Sequence, residues 1–452
     1  MIFASIALLP EGWSRNVRVT CTAGVIDHVV PGAVAQPGDV RVQALLPALS
    51  NLHSHSFQRA MAGMTEHRIA GRDSFWTWRE LMYRFTAHLT PGQIEAIAAL
   101  VFMEMQEAGY AAVGEFHYMH HQPGGAPYDD IAELSGRIYA AASSTGIGLT
   151  HLPVLYSYGG AGALPLAQGQ MRFGNSVDQF AMLLEAARDR ARALPADTRI
   201  GLAPHSLRAT NPADLAHVLR LAGGNPVHIH VAEQPKEVAD IRAWLGARPV
   251  EWLLGNAAVG PDWCMIHATH MTAAETQDLA NTGAVAGLCP ITEANLGDGP
   301  FNGPGWLAAG GAFGIGSDSN VRISLTEELR TLEYSQRLRD LARNVLVQGE
   351  GSVGQALYTG AALGGAQALG RKAGQIASGY LADLAAIDAD HPTLCALRPE
   401  QLLDGVVFAA TDQVVTDVWS AGRHCVQGGR HIHRDAIVLG WRQAVAGLVA
   451  SV

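Results

Sequence analysis

Eight short apolar runs recur through the middle of this chain, with longer helical stretches between them. They are VQALLPALSNL, AAVGEF, IGLTHLPVLYS, RIGLAPHS, PVHIHVAE, WCMIHAT, AVAGLCP and AFGIGSDS. Residues 91–108 and 176–193 are representative helical candidates between them. Strand-like runs alternating with helices predict parallel β/α units, and eight such units predict a (β/α)8 barrel. The 452 residues exceed what one small core needs, so a barrel with a smaller appended domain fits. With 48% hydrophobic and 16% charged residues, a large buried core can form and extensive disorder is not expected.

The two ends read differently from the middle. Residues 1–47 alternate short apolar runs with Gly and Pro, as in VRVTCTAGVIDHVVPG, the pattern of small antiparallel strands and tight turns. The same pattern returns at 379–390 (GYLADLAAIDAD) and 415–429 (VTDVWSAGRHCVQGG), followed by a helical tail from about His433. The expected architecture is therefore α/β: a (β/α)8 TIM barrel over 48–372. A small β-sandwich domain is built from both chain ends, 1–47 and 373–452, the latter with the C-terminal helix.

The polar residues of the central runs gather at their C-terminal ends: His53 and His55, His117 and Tyr118, His205, His230 and Glu233, His267, and Asp318. Active sites of this barrel lie on that face. Any one of these histidines could be an ordinary buried group, but all of them together point to an enzyme. His53 and His55 are two residues apart at a strand end, so both imidazoles leave the same side of the strand and can share a metal. An HxH pair alone is weak. His230 and Asp318, at the ends of later strands, add a third nitrogen and an anionic oxygen, and three imidazoles with one carboxylate suit zinc. His228 lies on the same side as His230 but one layer deeper, where a packed group is expected. His267 is placed to contact the metal's water or the substrate, and Glu233 to reach a substrate nitrogen; the alternative for Glu233 is an ordinary acid at a helix N-terminus.

Charge and composition exclude several other classes. The net charge of −10 and the lack of a long Lys/Arg run argue against nucleic acid. Lysine occurs only at Lys236 and Lys372, so there is no Gly-Lys-Ser/Thr phosphate loop, and a Schiff-base mechanism would have to use one of those two. No apolar stretch reaches the roughly 18 residues of a membrane helix, and the N-terminus lacks a signal-peptide layout. A cytoplasmic protein is expected, and the five scattered cysteines read as free thiols.

Longer motifs narrow the family. LHSH, HVAE, IHATH and GSDSN, with GYLADLAAID near the end, resemble the amidohydrolase superfamily over essentially the whole chain. NLHSHSFQRAMAGMTE, FWTWRELMYRF, GEFHYMHH, APHSLRA and CPITEANLGDGPFNG are most similar to its formimidoylglutamate deiminase family. This resemblance implies His53, His55, His230 and Asp318 as metal ligands, with Glu233 and His267 catalytic; the chemistry of a metal-held water adds Asp318 to the catalytic groups, as the acceptor of the water proton. The resemblance implies hydrolysis of N-formimino-L-glutamate to N-formyl-L-glutamate and ammonia, in histidine degradation. Some relatives bridge two metals through a modified lysine at the end of the fourth strand. This strand ends APHSLRA, so a single divalent ion, zinc by preference, is expected.

A substrate with two carboxylates needs cations in an acidic protein, and the planar guanidinium fork matches a carboxylate. Arg79 and Arg208 are the candidates, although Arg72 and Arg84 lie near enough to Arg79 in sequence to compete for its role. Gln58, Tyr118 and His205 could add hydrogen bonds, and the resemblance points to the same positions. Trp76 and Trp78 read as packing groups or a lid. Glu293, Asn295 and Asp298 follow the seventh strand without an assigned role. Two other readings compete. A deaminase of a nucleobase such as guanine would share the HxH, HxxE and Asp arrangement, but would leave two arginines uncompensated. A non-enzymatic scaffold should have lost part of this set. A small-molecule dicarboxylate is the expected partner, with no nucleic acid or membrane, and a homodimer is the commonest assembly for such a chain.

Overall fold

The computed structural model describes residues 1–67 and 75–449. Eight parallel strands surround one axis: Leu49–Ser54, Tyr110–His117, Gly148–Leu155, a fourth in two pieces (Arg199–Ile200 and Ala203–Pro204), Val227–Val231, Trp263–His267, Val285–Leu288 and Ala312–Ile315. The first four pair in succession, and so do the last four. Isolated parallel bridges join the two arcs. Leu202 meets Val227 and Ser206 meets His230 at one seam, and Ser54 meets Asp318 at the other.

Two runs differ from their reading in the sequence. VQALLPALSNL looks like one strand because its apolar residues are nearly continuous, yet it divides at Ala48. Val40–Pro47 joins the terminal sheet, and only Leu49–Ser54 enters the barrel. RIGLAPHS also divides, because its backbone changes partners: the Gly201 N–H donates to His151 O, while the Leu202 N–H donates to Pro226 O across the seam.

The helices begin where local chemistry caps them. Thr90 and Gln93 form a capping box at Pro91–Glu107, Ser176 caps Val177–Ala191, and Thr272 with Glu275 caps Ala273–Asn281. Inside the barrel, Leu52, Ala112, Cys264, Ile266, Val285 and Cys289 form an apolar cluster with Ala368 and Leu369. That pair follows from the helix Val353–Ala368. Its carbonyls accept from His228 Nε2 at 2.8 Å and Thr150 Oγ1 at 2.8 Å, which plugs the N-terminal end of the barrel and leaves the other end open.

The chain ends form one eight-stranded sheet. Its order is Arg430–His431, Arg423–Gln427, Val415–Ser420, Leu384–Ile387, Val40–Pro47, Ile2–Leu9, Gly12–Thr22, Val25–Val30. Ile2, Val17, Val19, Ile26, Leu45, Leu384 and Trp419 fill a separate core within this sheet, consistent with the expected small sandwich. Leu46, Ala385, Val418 and Val426 belong instead to the main core shared with the barrel. No helix among the described residues is long and apolar enough to cross a membrane.

A buried ion cluster fastens the sheet to the barrel. Arg371 donates to Asp197 O at 2.7 Å and to Asp383 Oδ2 at 2.9 Å, and Arg423 clamps both Asp197 oxygens at 2.8 Å. Arg371 has no exposed side-chain surface. Removing it would leave the buried Asp383 carboxylate without its cation and Asp197 with Arg423 alone, so Arg371→Ala should cost about 3–5 kcal/mol. Thermal unfolding checks this; an unchanged midpoint would show that the cluster does not join the two parts.

Candidate metal centre

The site grows from the seam between the first and last strands. His55 N–H donates to Asp318 O at 2.9 Å, and Asp318 N–H donates to His53 O at 2.9 Å. These two backbone bonds place three candidate ligands side by side. Gly316 makes the approach possible, because a β-carbon there would lie 2.7 Å from His53 O and 2.8 Å from His53 Cβ. The strand ends then turn sharply. Ala232, His267, Ala268 and Asp318 all have positive φ between 45° and 68°, a left-handed conformation that non-glycine residues seldom adopt away from functional sites.

One ligand atom each from His53, His55, His230 and Asp318 lies within 4.8 Å of the others, and all four residues are buried. His53 Nε2 is 3.1 Å from His230 Nε2 and 3.5 Å from Asp318 Oδ1, and His55 Nε2 is 3.3 Å from the same oxygen. A tetrahedral ion with bonds of about 2.0–2.2 Å needs ligand atoms roughly 3.3–3.6 Å apart, so the set fits a metal. Two of the three far nitrogens are anchored: His55 Nδ1 meets Phe116 O at 3.0 Å, and His230 Nδ1 meets His205 O at 3.0 Å, whereas His53 Nδ1 is buried without a hydrogen-bond partner. Donation of Nδ1–H to those carbonyls leaves both Nε2 lone pairs facing the centre.

Electrostatics favour the ligating forms. Burial pushes His53 down to about 3, lowers His55, and with the neighbouring imidazoles holds His230 well below its ordinary range, so all three are neutral. Burial alone would raise Asp318, but hydrogen bonding from His53 and the neighbouring imidazoles hold it ionised. His267 behaves oppositely. Its burial is outweighed by Glu233, Glu293 and Asp318, which push it up to about 10.

The other predicted residues surround a cleft above this centre. Its walls include Gln58, Arg79, Tyr118, His205, Arg208, Glu233 and His267. Arg208 donates to Glu233 Oε2 at 3.1 Å, and its Nε is buried without a hydrogen-bond partner. Glu233 Oε1 lies 3.8 Å from His267 Nε2, which is 3.9 Å from Asp318 Oδ2. Gln58 donates to the Tyr118 hydroxyl at 2.8 Å, and its carbonyl oxygen has no partner. His205 stacks on His230 with centroids 4.8 Å apart. Arg79 sits 4.7 Å over the Trp76 ring, whereas Arg84 is exposed and away from the cleft, and Arg72 lies outside the described residues. His117 packs against His120 and His151 and does not line the cleft.

Some site residues escaped the sequence. Glu293, given no role there, accepts from the Cys289 N–H at 2.9 Å and holds His267 Nδ1 at 3.2 Å. Asp298 accepts from Gln234, and Asn295 is exposed and donates to Glu66 at 2.8 Å. Tyr83, Tyr156 and Phe173 also line the cleft. Tyr156 directly follows the third strand, a position that could have flagged it; Tyr83 and Phe173 sit in a helix and a loop with no such signal.

Two variants test this geometry. Gly316→Ala should push His53 out of place and weaken metal retention by roughly 5- to 150-fold, given an overpacking cost of about 1–3 kcal/mol. Metal content after dialysis against graded chelator reads this directly, and full retention would contradict the close-approach argument. Glu293→Gln should keep the metal but lower kcat by roughly 10- to 100-fold, the usual cost of losing an orienting partner; unchanged kcat would show that Glu293 does not position His267.

Comparison with known proteins agrees with this fold and site. Residues 44–425 match the model of the amidohydrolase family, and residues 1–43 match the formimidoylglutamate deiminase HutF N-terminal domain. The chain is 51% identical over 451 residues to a formimidoylglutamate deiminase of Pseudomonas aeruginosa, covering 99% of each. It superposes on a crystal structure of an amidohydrolase from Brucella melitensis with a TM-score of 0.95 and 48% identity, covering 99% of each chain. An adenosine deaminase from Xanthomonas campestris with bound zinc shares the fold at a TM-score of 0.83 and 24% identity, over 99% of this chain and 98% of that one. On this evidence of sequence and fold, the chain belongs to the amidohydrolase family.

Proposed function

We propose that this enzyme hydrolyses N-formimino-L-glutamate to N-formyl-L-glutamate and ammonia, using one zinc ion held by His53, His55, His230 and Asp318. The observation that carries this reading is the meeting, in one cleft, of that ligand set with the guanidinium groups of Arg79 and Arg208. The extensive similarity to the Pseudomonas aeruginosa deiminase supports the same substrate, and the bound zinc of the Xanthomonas campestris structure supports the choice of ion.

When bound, the metal would lower the pKa of its water far below that of bulk water, to about 7. The protein supplies the rest. Asp318 accepts a proton from the attacking water as it adds to the formimino carbon, and His267, 3.9 Å away, stabilises the carboxylate that does so. Arg208 fixes Glu233 Oε2 and leaves Oε1 on the His267 side. The terminal nitrogen receives both protons of the water, one passed on from Asp318 and one taken from the added hydroxyl and carried by Glu233, and departs as ammonia while the carbon keeps the oxygen as a formyl group. Arg208 and Arg79 bind the substrate carboxylates, Arg208 sharing its charge between ligand and Glu233. Gln58, Tyr118 and His205 complete the polar wall.

Ammonia release should be rapid with N-formimino-L-glutamate and much slower with N-formimino-glycine, guanine or 5-methylthioadenosine. Arg208→Met should lower kcat/KM by about 2–5 kcal/mol, or roughly 30- to several-thousand-fold. Deamination of a nucleobase or nucleoside in place of the formimino compound would overturn the substrate assignment while leaving the metal centre intact.

A further inference from the structure

Cys289 follows the seventh barrel strand directly, as the residue that precedes the helix Pro290–Leu296, and is fully buried. Its Sγ, one ring nitrogen of His267 and one carboxylate oxygen of Asp318 lie within 4.8 Å of one another. Among the described residues, no hydrogen bond engages the thiol; the Cys289 backbone N–H, by contrast, is held by Glu293. The two oxygens of Asp318 face different ways. Oδ1 is directed to His53 and His55, and Oδ2 to His267. A carboxylate so placed can bridge two ions, as in two-metal sites where the ions stand about 3.5–4 Å apart.

We propose that His267, Cys289 and Asp318 form a second, inhibitory metal site that takes a thiophilic divalent ion such as zinc or cadmium once the first site is full. Thiolate, imidazole and carboxylate together suit these ions better than magnesium or calcium. Binding releases two protons to solvent, one from the Cys289 thiol as the metal–sulfur bond forms and one from the His267 ring nitrogen that takes the ion. Glu293 Oε1, 3.2 Å from His267 Nδ1, stands beside the set. An ion there occupies His267 and the second oxygen of Asp318, so the protein loses the groups that handle the proton of the attacking water. Excess metal therefore inhibits. The inhibitory consequence rests on the proposed reaction, whereas the second binding event does not.

The test uses protein loaded with one equivalent of zinc and titrated with Cd2+. A second equivalent should bind with a cadmium–thiolate charge-transfer band in the ultraviolet, and turnover of the formimino substrate should fall in parallel. Cys289→Ser should keep the first equivalent and basal turnover, lose the band, and raise the inhibitory concentration by at least roughly 10- to 100-fold. Cys264→Ser, altering the neighbouring buried thiol, should change neither. A single equivalent with no band, a band that survives in Cys289→Ser, or a band lost only in Cys264→Ser would each overturn the second site. Binding with the band but without inhibition would overturn the inhibitory role. If Cys289→Ser fails to fold, anomalous diffraction from cadmium-soaked crystals of the unaltered protein decides the same question: a second ion bonded to Cys289 Sγ supports the site, and its absence there overturns it.

Discussion

Two backbone hydrogen bonds, between the residues that carry the ligands, close the barrel. The His55 N–H to Asp318 O and Asp318 N–H to His53 O bonds tie the first strand to the last, so closure and assembly of three quarters of the metal set are one event. At the opposite seam, the His230 N–H donates to His205 O, and His230 Nδ1 meets that same carbonyl. The fourth ligand is thereby also fixed by the junction between the two arcs. The site is thus placed by the parts of the sheet where regular pairing is weakest and geometry most adjustable.

Charge follows from that placement. Glu233, Glu293, Asp298 and Asp318 all lie buried around His267, an arrangement that would repel itself without compensation. Inside the protein, Arg208 neutralises part of it through Glu233, and a divalent ion at the imidazole set offsets more. Neutral histidines and an ionised aspartate are what such an ion requires. The arginines at the mouth then give a dianionic substrate a local welcome in a protein whose net charge is −10.

Much of this was legible in the sequence because it depends on period and position. Alternating apolar runs mark parallel strands, and histidines two apart at a strand end must share a side. The domain boundary was drawn at 47/48, but that residues 42–52 hold two separate strands was not legible in their hydropathy, because Ala48 interrupts nothing and the division arises from pairing with Ile2–Leu9. The choice between Arg79 and Arg84 was equally hidden, since both lie on the helix Phe75–Thr86 and only packing against the cleft distinguishes them. Glu293 escaped for a related reason: its contact with His267 crosses 26 residues and depends on a helix whose position the local pattern does not specify.

Anomalous diffraction at the zinc edge, from crystals of the active protein with one equivalent of metal, tests the central claim most directly. A single ion should lie among His53 Nε2, His55 Nε2, His230 Nε2 and Asp318 Oδ1, at about 2.0–2.2 Å from each. Active protein with its ion elsewhere, or with any of these four side chains turned away from it, would contradict the account.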